Sequence, residues 1–205
     1  MIAIIDVSGT NLSSLANALK RLGFVYQLTH DARVISKASH VILPDVGTAA
    51  FGMNALKKYD LIDVICSLKQ PLLGICLGMQ LLLEHSEEGD VPCLGLISGK
   101  AQRLSPQKGY PVPHMGWNQL QWCKDTSLQI GINEQDFVYF IHSYALVDTE
   151  YALARCKYSE PFTAIIQKNN IWGMQFHPEK SAEVGMTLLK NFCTYSLNIS
   201  EAEVV

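Results

Sequence analysis

The chain has 205 residues, 48% of them hydrophobic and 17% charged, with a formal net charge of −3. That balance suits one globular domain, residues 1–205, with a core of its own, and excludes a disordered chain. The charge is too small and too scattered for a nucleic-acid surface, no apolar run approaches the ~18 residues that cross a bilayer, and the opening MIAIIDVSGT lacks the pattern of a signal peptide.

MIAIIDV reads as a buried strand, and LSSLANALKRLG as an amphipathic helix capped by Thr10 or Asn11 and ending at Gly23. FVYQLT and SHVILP are the next strands, the second stopped by Pro44. TAAFGMNALKKY and LIDVICSLK read as helices, PLLGI as a fourth strand and GMQLLLEH as the helix behind it; residues 89–92 read as a loop. Strand alternating with helix predicts a mainly parallel sheet flanked by helices on both faces. The second half is strand-rich, in GYPVPHMGWNQLQW, DFVYFIHSYALV, YALARCKY and FTAIIQKNNIWGMQFHPE. The last of these carries a tight turn at Asn169-Asn170, so an antiparallel extension is expected there. SAEVGMTLLKNFCTYSL closes the chain as a helix, with Ser181 a candidate cap and Glu183 in its first turn.

Six cysteines occur, at 66, 76, 93, 123, 156 and 193. None is spaced as Cys-x-x-Cys or set near a histidine at metal-ligand spacing. Neither a metal site nor a disulfide is therefore expected, and the reducing cytoplasm is the expected setting. Cys76 stands apart. In Gly74-Ile75-Cys76-Leu77-Gly78 a buried strand turns at once into a helix. Such an elbow holds its apex side chain over the carboxyl edge of the sheet and needs small neighbours. The helix start favours thiolate over thiol, and the Leu77 N–H points where an oxyanion would form. A buried core cysteine beside two helix-packing glycines fits the same pattern. A nucleophile needs a base, and His177 in GMQFHPEKS follows a strand ended by Pro178. Glu179, two residues on in an extended segment, falls on the same side and can orient the imidazole. Cys76, His177 and Glu179 thus have the residue types of a nucleophilic triad.

GICLGMQ and QFHPEKS together resemble the class I glutamine amidotransferases, along nearly the whole chain. PHMGWNQL, VYFIHSYA and DVSGTNLSSLANAL resemble, within that family, the glutaminase subunits of imidazole glycerol phosphate synthases. The resemblance implies the class I amidotransferase α/β fold, no cofactor, and release of ammonia from glutamine through a thioester on Cys76. It implies His177 as base and then acid, Glu179 as its orienter, and Gln80, one helical turn after Cys76, as a holder of the substrate. It also implies that Ser143 and Tyr144 meet the charged end of glutamine, and that Val46, Gly47 and Leu77 build the oxyanion hole. The implied partner is a (β/α)₈-barrel cyclase of the histidine pathway, in a heterodimer.

One position departs from the family pattern: Pro44-Asp45-Val46-Gly47 has aspartate where the family's loop has glycine. A carboxylate there opposes a developing negative charge, and its Cβ hinders a peptide flip. Slower or more partner-dependent hydrolysis is the expectation. The glutaminase subunit of an anthranilate synthase or a pyridoxal phosphate synthase, a weakly active regulatory relative, and a stand-alone cysteine hydrolase are the other readings. HMGWN speaks against the first two, and the intact triad residues against the relative.

Overall fold

The computed structural model describes residues 1–7, 12–45 and 47–196. In chain order these form β1 (Ile2–Ile5), α1 (Ser13–Arg21), β2 (Tyr26–Thr29), α2 (Ala32–Lys37), β3 (His40–Leu43), α3 (Ala49–Lys58), α4 (Ile62–Cys66), β4 (Leu72–Ile75), α5 (Leu77–Leu81), β5 (Leu83–Ser86), β6 (Val91–Pro92) and β7 (Ile97–Arg103). There follow β8 (His114–Gln119), β9 (Gln121–Trp122), β10 (Phe137–His142), β11 (Tyr144–Leu146), β12 (Ala152–Lys157), β13 (Pro161–Lys168), β14 (Ile171–Met174) and α6 (Ala182–Thr194). Eight strands make one sheet in the order β2-β1-β3-β4-β14-β13-β12-β9. The pairs from β2 to β14 are parallel and those beyond are antiparallel. The expected parallel sheet with an antiparallel extension is therefore the architecture found.

Strand periodicity explains how both faces are covered. Ile2 and Ile4 of β1 pack with Leu15 and Leu19 of α1 and Leu188, Leu189 and Phe192 of α6. The alternate residues Ala3 and Ile5 pack on the other face with Ile35 of α2, Leu56 of α3, Ile65 of α4 and Leu81 of α5. β1, β3 and β4 are buried along their whole length, as strands covered on both faces must be, and so they read as continuous apolar runs. Each fully buried Leu, Ile or Phe contributes about 1.5–3 kcal/mol. β13 and β14 are joined through Asn169, whose φ of 54° suits the two-residue turn. Asn170 then donates to the Leu68 and Gln70 carbonyls at 3.0 and 2.9 Å, fixing this hairpin beside the start of β4.

Five details differ from expectation, the first being that Val91–Pro92, expected within a loop, pairs as β6 with β5. The segment 31–37 forms α2, with Asp31 accepting from the Arg33 N–H at 2.7 Å; six residues are too few to show a period. Residues 78–85 do not form one helix: α5 stops at Leu81, and Leu83–Ser86 pairs as β5 with β7 and β6. A leucine run buried on every side carries no period to separate the two states, and tertiary pairing decides. β7 itself, ISGKAQR, alternates too weakly to announce a strand. Ser181 occupies the N-cap of α6, yet its hydroxyl makes no cap bond to the helix. Thr10 and Asn11 lie outside the described residues. Among the described residues no helix is long and apolar enough to cross a membrane.

Candidate active site

β4 ends at Ile75 and α5 begins at Leu77, so Cys76 is the whole connection. Its φ of 51° and ψ of −110° lie where only glycine is at ease, a strain of order 1–3 kcal/mol that the surroundings must hold. They do so from both sides. The Cys76 N–H donates to the Met174 carbonyl of β14 at 2.7 Å, and the Cys76 carbonyl accepts the first helical bond from Gln80 at 3.2 Å. A Cβ on Gly74 would lie 2.6 Å from the Gly78 oxygen, and one on Gly78 would lie 2.0 Å from the Leu43 oxygen. Both glycines are thus required by backbone approaching backbone at the elbow.

His177 follows β14 and precedes a 3₁₀ turn at Pro178–Lys180, so the segment is not extended as expected. The turn still carries Glu179 back, and its Oε1 accepts from His177 Nδ1 at 2.8 Å. That bond fixes the proton on Nδ1 and leaves Nε2 as the free nitrogen. The His177 N–H donates to the Tyr139 carbonyl, and the Ser181 hydroxyl donates to the His177 carbonyl at 2.7 Å while accepting from the Tyr139 N–H. Ser181 therefore fixes the backbone of His177 against β10. His177 is 4% exposed, and among the described residues its Nε2 has no hydrogen-bond partner.

Asp45, Cys76 and His177 converge, with one donor atom of each lying within 4.8 Å of the others. The Asp45 carboxylate stands 3.8 Å from His177 Nε2. Burial pushes the Cys76 thiol well up, Asp45 pushes it further, the Leu77 N–H pulls it down, and Glu179 adds a smaller upward push. The helix start acts in the expected direction, through the Leu77 N–H, but desolvation and a facing carboxylate outweigh that one backbone amide. Asp45 has a second effect. Its Oδ1 accepts from the Gly47 N–H at 3.1 Å, so that amide is already engaged. Val46 lies outside the described residues.

A cavity of about 90 Å³ opens beside the thiol, lined by Asp45, Gly47, Cys76, Leu77, Gln80, Glu88, His142, Ser143 and Tyr144. The residues expected to meet substrate thus surround one space. Gln80 is buried and donates to the Tyr144 carbonyl at 2.8 Å and to Gln175 Oε1 at 3.1 Å. Sequence reasoning missed Gln175, whose amide also donates to Cys76 Sγ at 3.8 Å, and Glu88, which accepts from the Ala49 N–H at the start of α3. Gln175 stood inside GMQFHPEKS without a role. Glu88 stood in an acidic run that reads as solvated surface.

His142 and His114 form the floor under Tyr144. His142 Nδ1 donates to the Tyr144 carbonyl at 2.9 Å, so its Nε2 accepts from His114 Nδ1 at 3.2 Å. His114 is stacked between Phe140 and Tyr158. Burial lowers His114 to about 4 and is the main cause of lowering His142 to about 3, from 6.5. Both are neutral when folded and charge readily when unfolded. The unfolded chain therefore binds more protons below 6.5, and stability falls with pH until the folded values are reached. The expected slope is on the order of 1 kcal/mol per pH unit for each group. Denaturant midpoints measured from neutral pH down to about 4 should show this decline; a flat profile would contradict the buried neutral pair.

Comparison with known proteins places this geometry. Residues 3–195 match the family model described as glutamine amidotransferase class-I. The chain is 67% identical to imidazole glycerol phosphate synthase subunit HisH 2 of Legionella pneumophila strain Lens, over 94% of this chain and 96% of that protein. It is 50% identical to imidazole glycerol phosphate synthase subunit HisH of Xylella fastidiosa strain Temecula1, over 93% and 96%. A crystal structure of a glutamine amidotransferase, 17% identical, superposes with a TM-score of 0.73 over 94% of this chain and 98% of the other.

Proposed function

The chain belongs to the class I glutamine amidotransferases, and from that membership we propose that it is the glutaminase subunit of an imidazole glycerol phosphate synthase. The observation that carries the chemistry is a cysteine on a strained elbow, grouped within 4.8 Å with a histidine whose other nitrogen is held by a carboxylate. In the proposed reaction Cys76 Sγ attacks the side-chain amide carbon of glutamine and its proton passes to His177 Nε2. The Leu77 N–H, with Val46 and Gly47 after the loop turns, faces the oxyanion. His177 returns the proton to the departing nitrogen, and ammonia leaves. Water, deprotonated by the same imidazole, then cleaves the thioester to glutamate and frees the thiol. Glu179 holds Nδ1 throughout.

Gln80, Ser143 and Tyr144 bind the substrate in this reading. Glu88, a carboxylate on the same cavity wall as Gln80, suits the α-ammonium of glutamine. Ammonia needs an acceptor, and a cyclase subunit in a cytoplasmic heterodimer supplies it. An exposed apolar band supports a protein partner near the site: Met115 and Trp117 of β8 and Phe137 of β10 are 59%, 51% and 48% exposed, on the hairpin whose Tyr139 carbonyl receives His177. The test is glutamate release from glutamine with and without a candidate barrel cyclase. Release that no cyclase accelerates would contradict the subunit assignment, and no release in either case would contradict the glutaminase.

Asp45 yields a further expectation. Replacing it by glycine frees the Gly47 amide, removes the Cβ that hinders the flip, and takes a negative charge from beside the thiol. Basal glutaminase activity without acceptor substrate should rise by about tenfold, a fraction of the ~2.7–4 kcal/mol that one oxyanion donor is worth elsewhere. Equal basal rates in Asp45→Gly and the parent, at equal folding stability, would leave Asp45 without influence.

A further inference from the structure

We infer that Asp45, Cys76 and His177 form a site for a thiophilic divalent cation, zinc above all, and that the bound ion silences the thiol. Three donors of different softness come from three separate places: the loop after β3, the elbow after β4 and the turn after β14. Their donor atoms lie within 4.8 Å of one another, and Asp45 Oδ2 is 3.8 Å from His177 Nε2. A tetrahedral zinc with bonds of about 2.0–2.3 Å sets its ligands roughly 3.3–3.7 Å apart. Closing the remaining difference takes a small turn of the Asp45 side chain, which at 38% exposed is the least confined of the three.

A second, independent observation points to the same place. His177 Nε2 is a buried nitrogen without a hydrogen-bond partner among the described residues, on a side chain 5% exposed. Its Nδ1–H donates to Glu179 Oε1 at 2.8 Å. That leaves a lone pair on Nε2 in the carboxylate–histidine arrangement that orients imidazoles toward metals. Charge also fits: thiolate and carboxylate give two negative charges against the ion's two positive ones, with the imidazole neutral. On binding, the S–H proton goes to solvent and a sulfur–zinc bond replaces it. The ion offsets the burial that otherwise holds the thiol protonated. With glycine at 45, only sulfur and nitrogen would remain, and two donors do not hold zinc firmly. The aspartate is what completes the set.

That zinc inhibits rests on the glutaminase reading of Cys76 and His177; that zinc binds does not. The test takes the full chain, freed of metal with a chelator, and titrates zinc chloride against a chromogenic zinc indicator. Alkylation of Cys76 by iodoacetamide, read by peptide mass, is followed with and without zinc. One high-affinity equivalent is expected, lost in Cys76→Ser, which separates it from zinc held by the other five cysteines. Asp45→Gly and Asp45→Asn should each weaken binding by more than the ~10–100-fold that an outer-shell partner is worth, and zinc should then no longer slow alkylation of Cys76. The asparagine variant keeps the loop's shape, so a folding defect in the glycine variant leaves the comparison intact. Affinity and protection unchanged in both Asp45 variants would overturn the site, as would an equivalent that survives Cys76→Ser. Glutamate release by the metal-free chain is scored separately, so a failed glutaminase and a failed metal site give different results.

Discussion

Cys76→Ser is expected to cut glutamine-dependent turnover by on the order of 10⁴–10⁶-fold, the scale on which a nucleophilic triad loses activity when its nucleophile is removed. The substitution is small in every respect but one. The Sγ hydrogen bonds to the Ile141 carbonyl and from the Gln175 amide are both long, at 3.8 Å, so a shorter Oγ forfeits little there. Serine tolerates the same strained φ no worse than cysteine does, and the elbow glycines are untouched. What changes is the acidity of the attacking group. The thiol is already pushed up by burial and by Asp45, and an alcohol lies several units higher still, so in a site built around a thiol it is a far poorer nucleophile. In the proposed complex with a cyclase, synthesis from added ammonium should survive, because that chemistry would use none of these atoms. Glutamate release, ammonium-dependent synthesis and thermal midpoint measured together decide the matter. A serine variant that releases glutamate within tenfold of the parent, or that loses both syntheses while still folded, would sink the assignment of Cys76.

Where sequence reasoning reached the structure, it did so through constraints that a few neighbouring residues impose by themselves. Gly74 and Gly78 flank the elbow because no Cβ fits at either, so the motif is legible without coordinates. β1, β3 and β4 are legible because burial on both faces leaves them uniformly apolar. The pair His177 and Glu179 was found through a spacing argument whose premise was wrong. The chain is in a 3₁₀ turn there, and the contact forms because that turn folds the carboxylate back. Other features depended on residues far apart in sequence. Gln175 gains its place from Cys76 and Gln80, about a hundred positions earlier. Ser181 looked like a helix cap and instead joins His177 to β10. β5 reads as helix from sequence because its partner β7 carries too weak a strand pattern to reveal the pairing. Asp45 was legible as a departure from a family loop, but its two contacts, to Gly47 and toward His177, come only from the fold.

His177→Ala should lower glutamine hydrolysis by about 10²–10⁴-fold, the usual worth of a positioned general base, and Glu179→Gln should lower it less, by about tenfold to 10²-fold. In the proposed reaction the alanine variant removes the acceptor of the thiol proton and the donor to the departing nitrogen at once. It also leaves Glu179, a side chain 10% exposed, without its partner, so some loss of stability accompanies the loss of rate. The glutamine variant keeps the volume and one useful oxygen. Because Glu179 Oε2 has no partner of its own, the new amide can place its oxygen on Nδ1–H and its NH₂ where Oε2 was. The Nδ1–H tautomer then persists, and Nε2 stays available as a base. What is lost is the charge that steadies the imidazolium once it has taken the proton, a charge-assisted bond being worth about 1.5–3 kcal/mol and a neutral one about half that. The loss should fall on kcat with KM little changed, since Glu179 does not line the cavity beside the thiol. Steady-state kinetics of the two variants, with folded fractions checked by near-UV circular dichroism, give the order. Glu179→Gln proving worse than His177→Ala would mean that the carboxylate, and not the imidazole, moves the proton.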